Sequence, residues 1–257
     1  MEHSTPLEQK RTTSHTIKSV HTAFRIVESL KRLEDTSITN IAADTGLAKS
    51  TVHKHLATLL EEDCVTKDED GYSLGARFLD LGGFVRSERY GSEVVKDKVK
   101  LLAEQTGQVV HFAVEEHGRA VVLYREKGEY GVPSRSRVGK RMYLHQTSYG
   151  KAILAHLPDD RIEGIVDHYG LPSATANTIT DPDALSEELA QIRERGYAIN
   201  DEESTVGLRA VGAPVILDNG RVFGGCSIAG PENEIEEDQI DGLLSTVNQI
   251  KLAVTYS

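Results

Sequence analysis

Residues 37–56 read SITNIAADTGLAKSTVHKHL and predict two short helices that meet at a tight turn. The apolar residues Ile41, Leu47, Val52 and Leu56 are expected to hold the two helices together. Gly46 ends the first helix, because glycine adopts the left-handed conformation that such a turn needs. This arrangement is typical of a helix-turn-helix, whose second helix enters the major groove of DNA. The polar side chains near the start of that second helix are therefore the predicted DNA contacts: Lys49, Ser50, Thr51, His53 and Lys54.

The flanking sequence extends this motif to a winged helix-turn-helix over residues 15–75. Apolar residues at helical spacing predict a preceding helix that stops near Leu33. Thr36-Ser37 can cap the N-terminus of the next helix, the first of the helix-turn-helix. A small hairpin follows over residues 64–74, with residues 68–71 at its tip. Residues 1–14 are polar and are predicted to be disordered.

The net charge of the whole chain, −11, argues against DNA binding if the distribution of the charges is ignored. Residues 15–60 nevertheless contain six Lys/Arg against four Asp/Glu, and acidic clusters such as residues 61–63 and 68–70 lie outside them. An acidic remainder is compatible with DNA binding if it faces away from the duplex. The 40 acidic against 29 basic residues also suggest adaptation to high salt, with an ordinary acidic protein as the alternative.

The length of 257 residues suits two domains. No run of about 18 apolar residues predicts a transmembrane helix, and the polar N-terminus lacks an apolar signal region, so the expected location is cytoplasmic, with no membrane partner. The two cysteines, Cys64 and Cys226, lie far apart and exclude a disulfide framework or a cysteine-rich zinc site. No metal site and no cofactor are expected.

The C-terminal two-thirds of the chain is predicted to be α+β, with helices on an antiparallel sheet. Residues 76–91 are predicted to form a linker helix, and residues 92–257 are predicted to form the larger domain. Turn signals at His117-Gly118 and at residues 218–220 predict two hairpins, and a further strand is expected near residues 133–138. Asp181-Pro182 predicts the start of a helix that closes at Gly196.

Several motifs, in this order and spacing, resemble the isocitrate-lyase-regulator (IclR) family of transcription factors. They follow the helix-turn-helix and are YSLG at 72–75, HQTSYGKAILA at 145–155, RGYAINDEE at 195–203, GLRAVGAPV at 207–215 and CSIAGP at 226–231. The resemblance covers residues 16–256. It implies a GAF-like effector domain, a homodimer or dimer of dimers, a palindromic operator in double-stranded DNA, and control of carbon metabolism by a small molecule.

The resemblance also implies where the effector binds. The expected residues are Ser148, Tyr149, Gly150, Asp201, Ala210, Ser227 and Ala229. Hydroxyls, the start of the helix at Thr147 and a carboxylate suit a small hydroxylated metabolite, so a sugar acid or organic acid is expected. Lys151 is expected on the helix surface. Arg135, Arg137 and Arg141 either guide a carboxylate or form a solvated strand face.

This sequence departs from the family pattern at three of these positions. Family members often carry cysteine where Ala210 stands, a second serine where Ala229 stands and a small residue where Tyr149 stands. The expected site is therefore less polar at two points and bulkier at a third.

Two other functions are compatible with parts of the sequence. An enzyme could use His145 and residues 201–203 for acid–base chemistry, but Cys226 lies in an apolar strand and no metal-ligand spacing such as HExxH is present. A binding module could use the helix-turn-helix for protein contacts. Salt-sensitive DNA binding separates that module from a DNA-binding regulator.

Overall fold

The computed structural model describes residues 16–89, 92–131, 136–231 and 237–256. The chain divides into two compact units, with the boundary between Tyr90 and Gly91. The predicted disorder of residues 1–14 lies outside the described residues.

Within residues 16–89, the N-terminal unit contains four helices and a two-stranded antiparallel sheet. In chain order they are α1 (Lys18–Leu33), α2 (Ile38–Thr45), α3 (Lys49–Glu61), β1 (Val65–Lys67), β2 (Tyr72–Leu74) and α4 (Arg77–Arg89). The Ser37 side chain caps α2 by accepting a hydrogen bond from Asn40 N at 3.2 Å, and Gly46 ends it with φ 68°. The predicted helix-turn-helix and hairpin are confirmed.

The core of this unit joins all three helices of the motif to the hairpin. Ile26, Leu30, Ile41, Val52, Leu56, Val65 and Tyr72 are buried in one cluster. Thr36 extends the hairpin, because its backbone exchanges hydrogen bonds of 3.1 and 2.8 Å with Tyr72. The orientation of α3 is thus fixed by its packing against the other two helices and against the hairpin.

The C-terminal unit alternates helices with a six-stranded sheet. It contains α5 (Ser92–Thr106), β3 (Val109–Glu116), β4 (Arg119–Lys127), β5 (Arg141–Tyr143), a 3-10 turn (Leu144–Gln146), α6 (Ser148–Leu154), α7 (Asp159–Tyr169), α8 (Pro182–Arg195), β6 (Ala198–Asp201), β7 (Leu208–Ile216), β8 (Val222–Pro231) and α9 (Glu237–Thr255). The strand order is β5-β4-β3-β8-β7-β6, and every neighbouring pair is antiparallel. This confirms the α+β class.

Helices cover both faces of the sheet. On one face α6 packs against β3, β6, β7 and β8, and an apolar cluster that includes Tyr149, Ile153 and Leu189 joins α6 and α8 to the strands. α5 and α9 pack together and against the sheet. They cover the opposite face, which includes Val110 and Phe112, both fully buried. Among the described residues, no helix combines the length and apolarity that crossing a bilayer requires.

Several short elements around β5 and β6 were not expected from the sequence or lie outside the described residues. The strand expected near residues 133–138 falls mainly outside the described residues, and 136–138 are not a strand. β5 and β6, of three and four residues, lacked a sequence signal because neither is long enough to show alternation. α6 has only seven residues.

Candidate functional site

The start of α3 presents an exposed polar surface in the N-terminal unit. Lys49, Ser50, His53 and Lys54 are exposed and Thr51 is half-buried, while Val52 and Leu56 face the core. Ala48 precedes the helix and its side chain makes no cap hydrogen bond. The first backbone N–H groups of α3 are therefore open to an acceptor from outside the helix.

The lysines on α3 differ from three cations of α1, each of which has a partner. Arg32 pairs with Asp44 at 2.5 Å, Lys31 pairs with Glu28 at 2.8 Å, and Arg25 donates to Thr45 O. Within the described parts of the chain, neither Lys49 nor Lys54 forms a salt bridge. The wing tip carries Asp68, Glu69 and Asp70, which would repel phosphate, whereas α3 carries two lysines that attract it.

In the C-terminal unit, α6 lies directly on glycines of the sheet. A Cβ on Gly212 would lie 2.4 Å from Ser148 C, and one on Gly225 would lie 2.7 Å from Tyr149 O. Gly150 has the same constraint, since its Cβ would lie 2.2 Å from Leu144 O. The close approach sets the start of α6 over β7 and β8.

A buried polar cluster lies under α6 and consists of Ser148, His111 and Ser227. Ser227 is the ladder partner of Gly212 on one side and of His111 on the other, so its side chain shares their face. Ser148 Oγ, Ser227 Oγ and His111 Nδ1 are buried, and none has a hydrogen-bond partner among the described residues. Buried polar atoms are ordinarily hydrogen-bonded, which makes three such atoms in one place a candidate ligand site.

The rim of this cluster is small and aromatic. Ala210 and Ala229 are ladder partners on the same face, and both are 5% exposed. The Tyr149 ring lies 6.0 Å from the His111 ring. Burial raises the pKa of the Tyr149 phenol, which therefore stays neutral.

Two matching domain models span both units. The IclR helix-turn-helix domain matches residues 19–69, and the domain described as bacterial transcriptional regulator IclR C-terminal matches residues 92–256. The chain belongs to the IclR family.

Known IclR-family proteins match this one over most of its length. The probable HTH-type transcriptional regulator ArcR of Halobacterium salinarum is 33% identical over 230 residues, 88% of each chain. The crystal structure of Thermotoga maritima IclR has a TM-score of 0.76 at 30% identity and covers 94% of this chain and 100% of that one. An IclR homolog from Microbacterium hydrocarbonoxydans, complexed with 4-hydroxybenzoate, shares the fold with a TM-score of 0.78 at 22% identity, covering 93% and 100%.

This IclR-family protein is accordingly a transcriptional regulator with a helix-turn-helix and an effector-binding domain. The enzyme alternative is wrong, because the matching domains and relatives are transcriptional regulators. The residues that this alternative named do not form an active site. Burial raises the pKa of the Cys226 thiol to about 12, which leaves it un-ionised and unreactive. His145 Nε2 lies 3.1 Å from the carbonyl of Pro172, and burial lowers the pKa of that imidazole. No group of metal ligands occurs among the described residues.

The structure gathers six of the seven predicted effector residues and turns one away. Asp201 is exposed and pairs with Arg209, so it points to the face opposite Ala210. Asn200 takes its place: it is 1% exposed, pairs with Ala210, and donates through Nδ2 to Gln146 O at 2.6 Å. Ala198 and Asn200 share the buried face, but a strand of four residues is too short to show this alternation in the sequence.

Gly150 and Lys151 have structural explanations. Gly150 fits because its N–H donates to Thr147 Oγ1 at 3.2 Å and its Cα has no room for a side chain. The expectation that Lys151 lies on the helix surface is wrong, because Lys151 is 1% exposed. Its Nζ lies 2.6 Å from Glu203 Oε1 and 3.2 Å from Glu188 Oε1.

The three arginines that sequence reasoning connected with a carboxylate are not part of the cluster. Arg135 lies outside the described residues, and Arg137 is exposed. Arg141 pairs with Glu116 at 3.2 Å on β5, at the sheet edge.

A separate groove of about 460 Å³ lies between α7 and α8. Its lining combines apolar Ile162, Val166 and Leu189 with the carboxylates of Glu163 and Asp167. None of the predicted effector residues lines this groove, so it does not coincide with the buried polar cluster.

Proposed function

We propose that the protein binds a palindromic DNA operator through α3 and that a small metabolite in the C-terminal unit controls this binding. The single observation that carries the proposal is the exposed start of α3, which has hydroxyls, open backbone N–H groups and two lysines without a salt bridge in the described structure. Lysines and helix N-termini bind phosphates, and short side chains of a recognition helix reach base edges. The targets are genes of carbon metabolism, as the family resemblance implies, and the site of action is the cytoplasm, where the chromosomal DNA lies.

Replacing Lys54 by Ala is expected to weaken operator binding across DNA sequences and to flatten its salt dependence. When a phosphate contact is lost, DNA binding releases one counterion fewer. The negative slope of log K against log[salt] therefore becomes shallower by about 1 per half-site. Thr51→Ala is expected to weaken binding further. Fluorescence anisotropy with the protein's own upstream region, at several salt concentrations, measures both quantities.

Lys100→Ala is the matched control for Lys54→Ala. Lys100 is exposed on α5 in the other unit, where it lies 3.8 Å from Glu104. This substitution removes the same charge but leaves α3 unchanged. Unchanged affinity and slope in the double variant Lys54→Ala, Thr51→Ala would contradict the proposed DNA contacts. Salt-insensitive binding by the parent protein would favour the alternative, a protein-binding helix-turn-helix.

The proposed regulator binds DNA as a homodimer or a dimer of dimers. One helix-turn-helix reads one half-site, so a palindrome needs two copies about 34 Å apart. α4 offers the seam between them, since its apolar side chains are unusually exposed for their type: Leu79 78%, Leu81 49%, Phe84 65% and Val85 41%. A second copy of the same helix would cover these side chains in a two-fold contact.

The proposed effector site is the buried polar cluster with its rim of Tyr149, Ala210 and Ala229. Since the three polar atoms are covered, a ligand reaches them only when the surrounding segments move. Occupancy therefore favours one arrangement of the unit over another, as control by a ligand requires. The change reaches the N-terminal unit along the chain through residues 76–91. Allosteric couplings are typically about 1–3 kcal/mol, which corresponds to roughly 5–150-fold in operator affinity.

Ser227→Ala is expected to weaken the effector's release of DNA without changing operator affinity in its absence. The substitution removes one hydrogen-bonding group, which corresponds to a roughly two- to tenfold weaker effector response. The measurement titrates sugar acids and organic acids into the preformed operator complex. Asp201→Ala is the matched control, because its exposed side chain faces away from the cluster. A normal response from Ser227→Ala together with a lost response from Asp201→Ala would place the effector elsewhere.

A further inference from the structure

A β-bulge in β4 brings a cation to the sheet face that carries the buried polar cluster. The β3–β4 ladder skips Leu123, which makes it the extra residue of the bulge. Strand side chains alternate between faces, so an unbulged β4 would place Val122 and Tyr124 on the same face. The bulge shifts the alternation by one residue, and Arg125 takes that face instead of Tyr124. Arg125 is the ladder partner of His111.

Ser227, His111 and Arg125 form a continuous row across β8, β3 and β4. His111 pairs with Ser227 on one side and with Arg125 on the other. Ladder partners hold their Cβ atoms about 5 Å apart, so the row spans about 10 Å. Ser227 is 1% and His111 4% exposed, whereas Arg125 is half-buried at the outer end of the row.

The row contains one permanent charge and two neutral hydrogen-bonding groups. Burial, together with the positive charge of Arg125, lowers the pKa of His111 to about 3. His111 is therefore neutral at physiological pH. Its Nε2 lies 2.5 Å from Ser136 Oγ, and its buried Nδ1 has no hydrogen-bond partner among the described residues. A neutral imidazole donates or accepts according to its tautomer, as a hydroxyl does.

We propose that this row selects the chemical class of the effector, a small monocarboxylate that also carries a hydroxyl group. Arg125 binds the carboxylate, and His111 and Ser227 bind the hydroxyl about one strand spacing further along the row. An acid that lacks the hydroxyl group leaves two buried polar atoms without partners, which lowers its affinity. A compound that has the hydroxyl group but lacks the carboxylate loses the charged hydrogen bond to Arg125, which also lowers its affinity. This inference rests on the proposed function, because the row extends the proposed effector site.

The test measures binding of matched acids and neutral analogues to the full-length protein by isothermal titration calorimetry. The probes are gluconate against sorbitol and 4-hydroxybenzoate against 4-hydroxybenzamide, so the two pairs distinguish a sugar acid from an aromatic acid. At least one acid is expected to bind, and at least tenfold more tightly than its analogue. Arg125→Gln is expected to weaken binding of that acid roughly 10- to 100-fold and to leave binding of the analogue unchanged.

Two further variants separate the role of the row from general damage to the fold. Arg141→Gln removes the same charge from the ion pair with Glu116 at the sheet edge and is expected to bind both probes normally. His111→Asn is expected to weaken binding of the acid and of its analogue by similar factors. The acid still binds more tightly than the analogue, because Arg125 is retained. Equal binding of acid and analogue by the parent protein, or equal loss of both in a folded Arg125→Gln variant, overturns the inference.

The experiment also distinguishes failure of this inference from failure of the proposed function. If a metabolite that lacks a carboxylate releases the operator, and Ser227→Ala abolishes that release, the effector site stands and the assigned ligand class is wrong. If none of the four probes binds and no metabolite in the screen releases the operator, both proposals fail.

Discussion

Replacing Lys151 by Met is expected to lower the free energy of unfolding of the C-terminal unit by about 3–5 kcal/mol, because it leaves a buried carboxylate without its cation. Lys151 is 1% exposed and joins α6 to Glu203, which follows β6, and to Glu188 on α8. Glu188 keeps a second partner, Arg195, at 2.9 Å. Glu203 has no other cation within salt-bridge distance among the described residues, so it carries most of the loss.

The destabilisation is expected to depend on pH in a defined direction. Burial already raises the pKa of Glu203, and the positive charge of Lys151 opposes that rise. Without Lys151 the folded-state pKa climbs further above its unfolded value. A raised pKa contributes stability below the unfolded pKa and loses it as the pH rises through the folded value, so Lys151→Met is less stable at pH 8 than at pH 5. Urea unfolding at the two pH values measures the difference.

Two variants test the cause of that loss. Glu203→Gln in the Lys151→Met background removes the orphaned charge and is expected to restore part of the stability and to abolish the added pH dependence. Lys100→Met is the matched control, since Lys100 is exposed and surface ion pairs contribute about 0–1 kcal/mol. A Lys151→Met protein as stable as its parent at both pH values would show that the buried pair contributes nothing.

Replacing Leu79 and Phe84 together by Glu is expected to convert the protein to a monomer and to weaken operator binding about 10²- to 10⁴-fold. Two linked half-site contacts bind more tightly than one by this avidity factor, which the monomer loses. The side chains are 78% and 65% exposed within the described structure, so the charges would not disturb a core of their own unit. Sedimentation equilibrium and operator titration measure the two effects.

Val206→Glu is the control for a charge placed on an exposed apolar residue, since Val206 is 76% exposed in the C-terminal unit. It is expected to leave both the assembly and the DNA affinity unchanged. A parent protein that is monomeric at micromolar concentration, with and without operator DNA, would refute the proposed dimer. A Leu79→Glu, Phe84→Glu protein that still dimerises would move the seam away from α4.

The N-terminal unit could be predicted from the sequence almost completely, because its determinants are local. Helical periodicity, the Ser37 cap and the glycine turn at Gly46 each act over a few residues, and the structure reproduces them. The same holds for Asp181, which caps α8 by accepting hydrogen bonds from two backbone N–H groups at 3.0 Å. The two long hairpins of the C-terminal unit followed from their turn residues for the same reason.

The proposed effector site was only partly predictable, because strand pairing decides which side chains share a face. One residue of alternation separates Asn200 from Asp201, and the sequence offered no reference point in a strand of four residues. Lys151 looked like a surface residue, since nothing near it in the chain indicates that Glu188 and Glu203 approach from other elements.

The sequence by itself determined the family, the helix-turn-helix and the exposed start of α3, because these depend on local spacing and on motifs in a fixed order. Only the tertiary structure decided that His111 lies between Ser227 and Arg125. Those three residues are distant in the chain, and β3 joins them through two ladders and one bulge. Long-range pairing of this kind has no local signal, since each residue alone fits a buried or half-buried strand equally well.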